Sequence, residues 1–371
     1  MKSCRIRVFR AISVAIGGKS LCMMNPVKVS LTLIACISAL VSGCSMIGLS
    51  GSSPIVVKRT QMHMGTLVSI TAVGPTTQDA NEAINVGFEE IKRLEHLLST
   101  WIPESELSRV NAAAGRNPVL VSPETMTVVR RSLQVAEMTD GAFNIAIGPA
   151  IAAWGVSAEP RIPSEEELEA LKPLMNLDAV HADVGERSIY LEKAGMRIDV
   201  GGIGKGYAAD QAVMAMKKSG AVAGIVALSG DIKTFGRLPE GKKFSVWIQH
   251  PRKEGAMLAE IDLQDEAIST AGDYERFFEQ EGIRYHHILD PHTLQPARGC
   301  QSVSVIAKEG IWADGLDTGI FVMGADRGME LVEQLEDVEA IIVDQTGKVS
   351  ISSGLRQRVR LVTEGDGQEQ P

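Results

Sequence analysis

The chain has 371 residues, 44% hydrophobic and 22% charged, with 46 acidic against 37 basic side chains and a net charge of −9. A chain of this length can bury an ordinary core without disulfide or metal staples. The acidic balance argues against nucleic acid as a partner.

Residues 1–43 hold six basic residues and no acid, and an apolar run over 29–41 ends in Ser42-Gly43-Cys44. A basic segment, a short apolar run and a small-residue cleavage site read as a secretory signal. The run is too short for an ordinary spanning helix; the alternative is a single N-terminal anchor. Val41-Ser42-Gly43-Cys44 looks like a bacterial lipobox, which would make Cys44 the lipidated first residue of the mature chain. That places the protein on the periplasmic side, anchored to the inner or outer membrane, and Ser45 after the cysteine points to the outer one. The peptide from Met24 reads as a complete signal by itself, so Met23 or Met24 competes with Met1 as the start. Cleavage before Cys44 leaves 31 basic against 46 acidic residues, a net charge of −15. It also leaves only Cys44 and Cys300 of the five cysteines. With Cys44 lipidated, neither a disulfide framework nor a cysteine metal site is possible within one chain.

Residues 48–54 are Gly/Ser-rich and read, with 44–47, as a flexible tether. Residues 55–73 alternate as two strands with Met64-Gly65-Thr66 at the break. Residues 79–98 carry one apolar helical face through Ala83, Ile84, Ile91, Leu94 and Leu98. Ser122-Pro123-Glu124 sets an N-cap and a first-position proline for a helix to Met138. Ser164 with Glu167 predicts a capping box on a short acidic helix. Strands are predicted over 196–200, 223–228, 243–250, 257–263, 285–289, 302–307 and 340–343, and helices over 205–218, 313–323 and 327–335. No linker interrupts 55–362, nothing repeats at a fixed period, and 363–371 read as a disordered tail. The mixture predicts one compact α+β unit rather than a regular βαβ array.

Three segments could carry chemistry. In Asp199-Val-Gly-Gly-Ile-Gly-Lys-Gly-Tyr-Ala-Ala-Asp210, glycines precede a helix start, where free N–H groups can meet a phosphate. The P-loop pattern fails at Asp199 and Gly206, and the Rossmann pattern fails at Tyr207. A packing turn is the alternative. In His286-His-Ile-Leu-Asp-Pro-His-Thr293, an imidazole near a carboxylate suits a general base. Neighbours on a strand face opposite ways, so only one of His286 and His287 can enter a given site. Zinc on His286, Asp290 and His292 would lack a regular ligand spacing. Asp314, Asp317 and Thr318 share one helix face. Oxygen-only ligands suit a hard cation such as Mg²⁺; two acids in a first helical turn also favour the helix dipole. Spacing leaves both readings open.

These segments, with others in the same order, resemble the ApbE family of FAD:protein FMN transferases. The others are Met64-Gly65-Thr66, the block from Leu98 to Asn111, Thr139-Asp-Gly-Ala-Phe143 with Ile147-Gly-Pro149 and Trp154-Gly155, and Ser269-Thr-Ala-Gly-Asp273. The resemblance spans about residues 60 to 350. It implies a single compact, T-fold-related α+β domain with a mixed, mainly antiparallel sheet and packed helices. It implies an enzyme that takes FAD as substrate, uses Mg²⁺, joins FMN to a Thr or Ser hydroxyl of an acceptor protein through a phosphoester, and releases AMP. The acceptors it implies are redox-pump flavoprotein subunits with a Thr/Ser target motif.

The resemblance assigns metal binding to Asp314, Asp317, Thr318 and the Gly202 carbonyl. It assigns FAD contacts to Met64, Trp101, Ala142, Phe143, Asn144, Asp199, Lys205 and Ile288. Trp101 would offer an aromatic face to a flavin or adenine ring, or be a partly buried core aromatic. His287 would take the acceptor hydroxyl proton, and Asp314 would serve catalysis through the metal. Three departures stand out: Leu294 replaces the glycine of Asp-Pro-x-Thr-Gly-x-Pro, Ala227-Leu-Ser-Gly-Asp231 stands for Asn-Ala-Gly-Gly-Asp, and Asn144 replaces an acid. The alternatives are a Mg²⁺-dependent FAD pyrophosphatase, with water as acceptor, and a non-catalytic FAD-binding lipoprotein.

Overall fold

The computed structural model describes residues 54–362. The signal segment, Cys44, the tether up to residue 53 and the tail from 363 lie outside the described residues.

Strands Ile55–His63 and Thr66–Gly74 form a hairpin whose turn is Met64-Gly65. Both turn residues have positive φ, 49° and 68°, as the two-residue turns that match strand twist require. Met64 is held there by its N–H, which donates to Glu95 Oε1 at 2.7 Å.

The hairpin opens an eight-stranded sheet that continues through Ala223–Leu228, Asp231–Phe235, Ala267–Gly272, Cys300–Ala307, Glu339–Asp344 and Val349–Ile351. Every ladder among the described residues is antiparallel, in keeping with the mainly antiparallel sheet expected. Neighbouring strands in this sheet pair as hairpins or return, in the antiparallel sense, after an excursion through helices or through a separate strand pair. The fold class is α+β, as predicted.

Both faces of this sheet are buried, and the strand period of two divides them. Val68, Ile70, Val226, Leu228, Val303 and Val305 face one core. Ile225, Ala227, Ile232, Ile268 and Ile341 face another. Helices Thr77–Leu98, Gly204–Lys218 and Gly310–Met323 cover the first face. A three-stranded sheet of Phe244–Gln249, Met257–Leu263 and Val359–Leu361 supplies Phe244 and Ile261 to the second. A third cluster, with Trp154, Phe278 and Leu294, packs beside the hairpin of Phe277–Gln280 and Ile283–His286. Among the described residues no helix is long and apolar enough to cross a membrane.

Several local expectations need correction. The 196–200 segment is not a strand. Met196, Ile198 and Val200 do point into the core, but a side chain replaces the neighbouring strand. The Asn111 amide accepts from the Ile198 N–H at 2.7 Å and donates to its carbonyl at 2.9 Å. The strand expected over 285–289 ends at His286. The helix expected over 327–335 is Ala325–Val332. Ser164 caps the Glu167 N–H at 3.1 Å, but Glu167 turns to Arg161, so only half of that capping box forms. A complete box stands instead at Thr76 and Asp79, which starts the first helix at Thr77.

The Gly204–Lys218 and Gly310–Met323 helices meet at glycine. A Cβ on Gly206 would lie 2.1 Å from the Gly310 carbonyl oxygen and 2.7 Å from Asp314 Cβ. Each helix also caps the other. Asp314 Oδ2 accepts from the Gly206 N–H at 2.8 Å, and Asp210 accepts from the Gly310 and Ile311 N–H groups at 2.8 and 3.0 Å. Gly206→Ala therefore should destabilise the fold by about 3 kcal/mol through overpacking, against a helix-propensity gain of about 1 kcal/mol. Urea unfolding measures the difference; unchanged or greater stability would show that the helices can part without cost.

Candidate active site

The mutual capping sets the Gly310–Met323 helix over the sheet with Asp314 and Asp317 on its buried side. Asp231 begins its strand directly after the Ser229-Gly230 turn, and Ser269 lies on the Ala267–Gly272 strand. Asp231, Asp314 and Asp317 are each 3% exposed or less. One oxygen from each carboxylate lies within 4.8 Å of the others.

Lys205 Nζ forms a close ion pair with Asp231 Oδ2 and sits 3.9 Å from Asp314 Oδ1. The Ser269 hydroxyl lies 2.6 Å from Asp317 Oδ2 and in close contact with Asp231 Oδ1. A hydroxyl has one proton and can donate it once, so Ser269 can satisfy only one of the two carboxylates as a donor. The Thr318 hydroxyl donates to Asp317 Oδ1 at 3.1 Å.

Burial first, and the Asp231 carboxylate next, push Asp314 up from its ordinary value. Burial, then Asp314 and Asp231, push Asp317 well up. Burial alone would lower Lys205, but the Asp231 and Asp314 carboxylates outweigh it and hold the ammonium charged. Three acids and one ammonium leave this interior negative, and all the donors are oxygen. That chemistry fits a hard divalent cation. Gly202 is in place too, since a Cβ there would lie 3.1 Å from Thr318 Oγ1 and 3.4 Å from Phe143 Cε2. The structure thus brings Gly202, Asp314, Asp317 and Thr318 together with Phe143 and Lys205.

The N–H groups expected to meet a phosphate are already engaged. Gly204 donates to Val200, Gly206 to Asp314, and Tyr207 to Ile203. The helix start is therefore built around a carboxylate from the neighbouring helix, which corrects the reading of it as an open phosphate cradle.

His286 and His287 separate as expected. His286 Nε2 lies 2.7 Å from the Ala297 carbonyl, its Nδ1 accepts from the Ile288 N–H at 3.3 Å, and burial lowers its pKa to about 4. With both nitrogens engaged by backbone, His286 is structural and cannot join a zinc site with Asp290 and His292. His287 Nδ1 lies 3.2 Å from the Arg276 carbonyl. A carbonyl only accepts, which puts the ring proton on Nδ1 and the lone pair on Nε2. Burial first, then the Arg276, His286 and Lys205 charges, lower its pKa to about 3.

The remaining assigned residues divide between the surface and the core. Asp199 accepts from Thr100 Oγ1 at 3.0 Å and from the Gly201 N–H at 2.8 Å, tying the Trp101 loop to the glycine turn. Trp101 is 71% exposed, so it is not a partly buried core aromatic. Met64 sits against Glu95, near the same end of the Thr77–Leu98 helix. Ala142 and Ile288 are buried. Asn144 caps Ala146 and donates to the Met175 carbonyl at 2.8 Å, so its side chain serves the fold.

Sequence reasoning missed Asp231, Ser269 and Glu275. Burial, with the Asp231 charge adding and Lys205 countering, pushes Glu275 up to about 7, so it feels the same site. Asp231 and Ser269 both lie in segments with a recognisable pattern, which was the available signal.

A family model described as the ApbE family matches residues 64–342. The chain belongs to the ApbE family. It is 31% identical over 274 residues to the FAD:protein FMN transferase of Klebsiella pneumoniae, covering 73% of this chain and 85% of that one. It is 30% identical over 321 residues to the enzyme of the same name from Treponema pallidum, covering 82% and 89%. Among solved structures, the ApbE protein of Thermotoga maritima aligns with a TM-score of 0.77 at 30% identity, covering 82% of this chain and all of that one.

The departures from the ApbE pattern are now explicable in part. Leu294 and Ser229 stand where the pattern has glycine, with φ of 58° and 57°. Left-handed backbone costs a side chain about 1–2 kcal/mol. Leu294 is nevertheless fully buried, and its carbonyl accepts from Trp154 Nε1 at 2.7 Å. Burying a leucine side chain is worth about 1.5–3 kcal/mol, which offsets the strain. Ala227 packs in the core on the sheet face away from the triad.

Because burial raises Asp314 and Asp317, protons compete for them at higher pH than for ordinary surface acids. Divalent-cation affinity should fall as pH drops from about 8 to about 6, a range in which unperturbed carboxylates stay ionised. Mn²⁺ titration across that range checks this, and a pH-independent affinity would refute it.

Proposed function

We propose that this ApbE chain transfers FMN from FAD to a Thr or Ser hydroxyl of an acceptor protein, forming a phosphoester and releasing AMP. The observation that carries the reading is the buried carboxylate triad around Lys205 at the glycine-rich helix start, in a chain whose relatives are FAD:protein FMN transferases. Asp314, Asp317, Thr318 and the Gly202 carbonyl would hold Mg²⁺, with Asp231 beside them. When bound, Mg²⁺ neutralises diphosphate charge and stabilises charge that develops during transfer.

The chain's own groups do the rest. Lys205 offers an ammonium point charge to phosphate oxygens at the open side of the site. Trp101, solvent-exposed on a loop tied to Asp199, presents a ring face on which a flavin or adenine can stack. Phe143 forms an apolar wall next to Gly202. His287 accepts the acceptor hydroxyl proton on Nε2 while its Nδ1–H stays on the Arg276 carbonyl. The acceptor O–P bond forms as the P–O bond to AMP breaks, and the hydroxyl proton moves to the imidazole. Burial keeps His287 neutral with its Nε2 lone pair free, and the anionic diphosphate beside it would raise its basicity toward the working range. Cys44 would carry the lipid that holds this domain on the periplasmic side, near redox-pump acceptor subunits.

Incubation with FAD, Mg²⁺ and a Thr-containing acceptor domain, followed by mass spectrometry of the acceptor, tests the reading. The expected result is an added FMN mass that is lost in Asp314→Ala. His287→Ala should slow transfer by about 10²–10⁴-fold, as expected for loss of a general base. FMN and AMP formed without acceptor would instead indicate a pyrophosphatase, and intact retained FAD a binding protein.

A further inference from the structure

We infer that Lys205 is the resident counter-ion of the carboxylate triad in the metal-free protein, and that it competes there with the divalent cation. Metal is thereby favoured when it arrives together with a diphosphate. This rests on the reading of the triad as a cation site given above.

Lys205 pairs with Asp231 and lies 3.9 Å from Asp314. A cation on the same oxygens would stand only a few ångströms from the ammonium, and two positive charges at about 4 Å repel strongly at a partly buried site. The two ions therefore cannot share these oxygens without loss. The lysine is the member able to leave: its side chain is 26% exposed, whereas those of Asp231 and Asp314 are 4% and 3%. Its flexible stem lets the ammonium swing outward. A diphosphate at the open side would give it a new anionic partner and leave the carboxylates to the cation. By linkage, whatever draws Lys205 off the triad tightens metal binding, and bound metal in turn favours the diphosphate.

The test compares the purified full-length chain with K205M and K205R, using two probes: Mn²⁺ alone and the preformed Mn²⁺–ADP complex. K205M should bind Mn²⁺ alone about tenfold more tightly than the parent chain, because a nearby positive charge is gone. It should bind Mn²⁺–ADP more weakly, because the phosphates lose their ammonium. K205R, which keeps the charge, should follow the parent chain for Mn²⁺ alone. Thermal unfolding gives a second readout: Mn²⁺ should raise the Tm of K205M more than that of the parent chain. If K205M does not fold, K205Q serves for the same comparisons. Equal or weaker Mn²⁺ affinity in the uncharged variant overturns this inference alone. Absence of Mn²⁺ binding in both proteins overturns it together with the metal reading.

Discussion

Three buried carboxylates need positive charge beside them, and much of this structure follows from that need. Asp231, Asp314 and Asp317 reach one another from a strand and a helix that are far apart in sequence. Burying unpaired charge costs several kcal/mol per ion even after relaxation. Lys205, the shared Ser269 hydroxyl and the Gly206 N–H each offset part of that cost. The N–H can do so only because two helices touch at Gly206 and Gly310, where a Cβ would not fit. Asp210 repeats the device in the other direction by capping the Gly310–Met323 helix. Burial pushes Asp210 up to about 6, so this contact too depends on a carboxylate held in a setting that disfavours charge.

The frame was largely legible. Strands 223–228 and 257–263 were bounded correctly because apolar runs end at turn residues on both sides. The Pro123–Met138 helix was announced by its cap and first-position proline. Where the reading failed, the partner lay outside the local window. Residues 196–200 have the right alternation, but the Asn111 side chain stands where a strand would pair. The capping box at Ser164 lost its second half to Arg161.

The site divides in the same way. Asp314, Asp317 and Thr318 were legible because helix geometry puts them on one face. Lys205 was singled out, but as an FAD contact; its pairing with Asp231 follows from the fold and no spacing encodes it. Asp231 itself reads as an ordinary hairpin acid until the Gly310–Met323 helix is laid over it. The two histidines separated on strand geometry alone, yet their assignment needed the carbonyls of Ala297 and Arg276. Leu294 shows how a departure from a glycine can be kept: strain at one backbone position is balanced by burial of the side chain that causes it.

The central claim is that this charge cluster is built around a cation. Crystals of the protein grown with Mn²⁺ in place of Mg²⁺, measured by anomalous diffraction, test it most directly. The account predicts a peak about 2 Å from oxygens of Asp314, Asp317 and Thr318, with Lys205 turned away from Asp231. A peak only at surface carboxylates, with Lys205 still paired in the triad at saturating Mn²⁺, would contradict it.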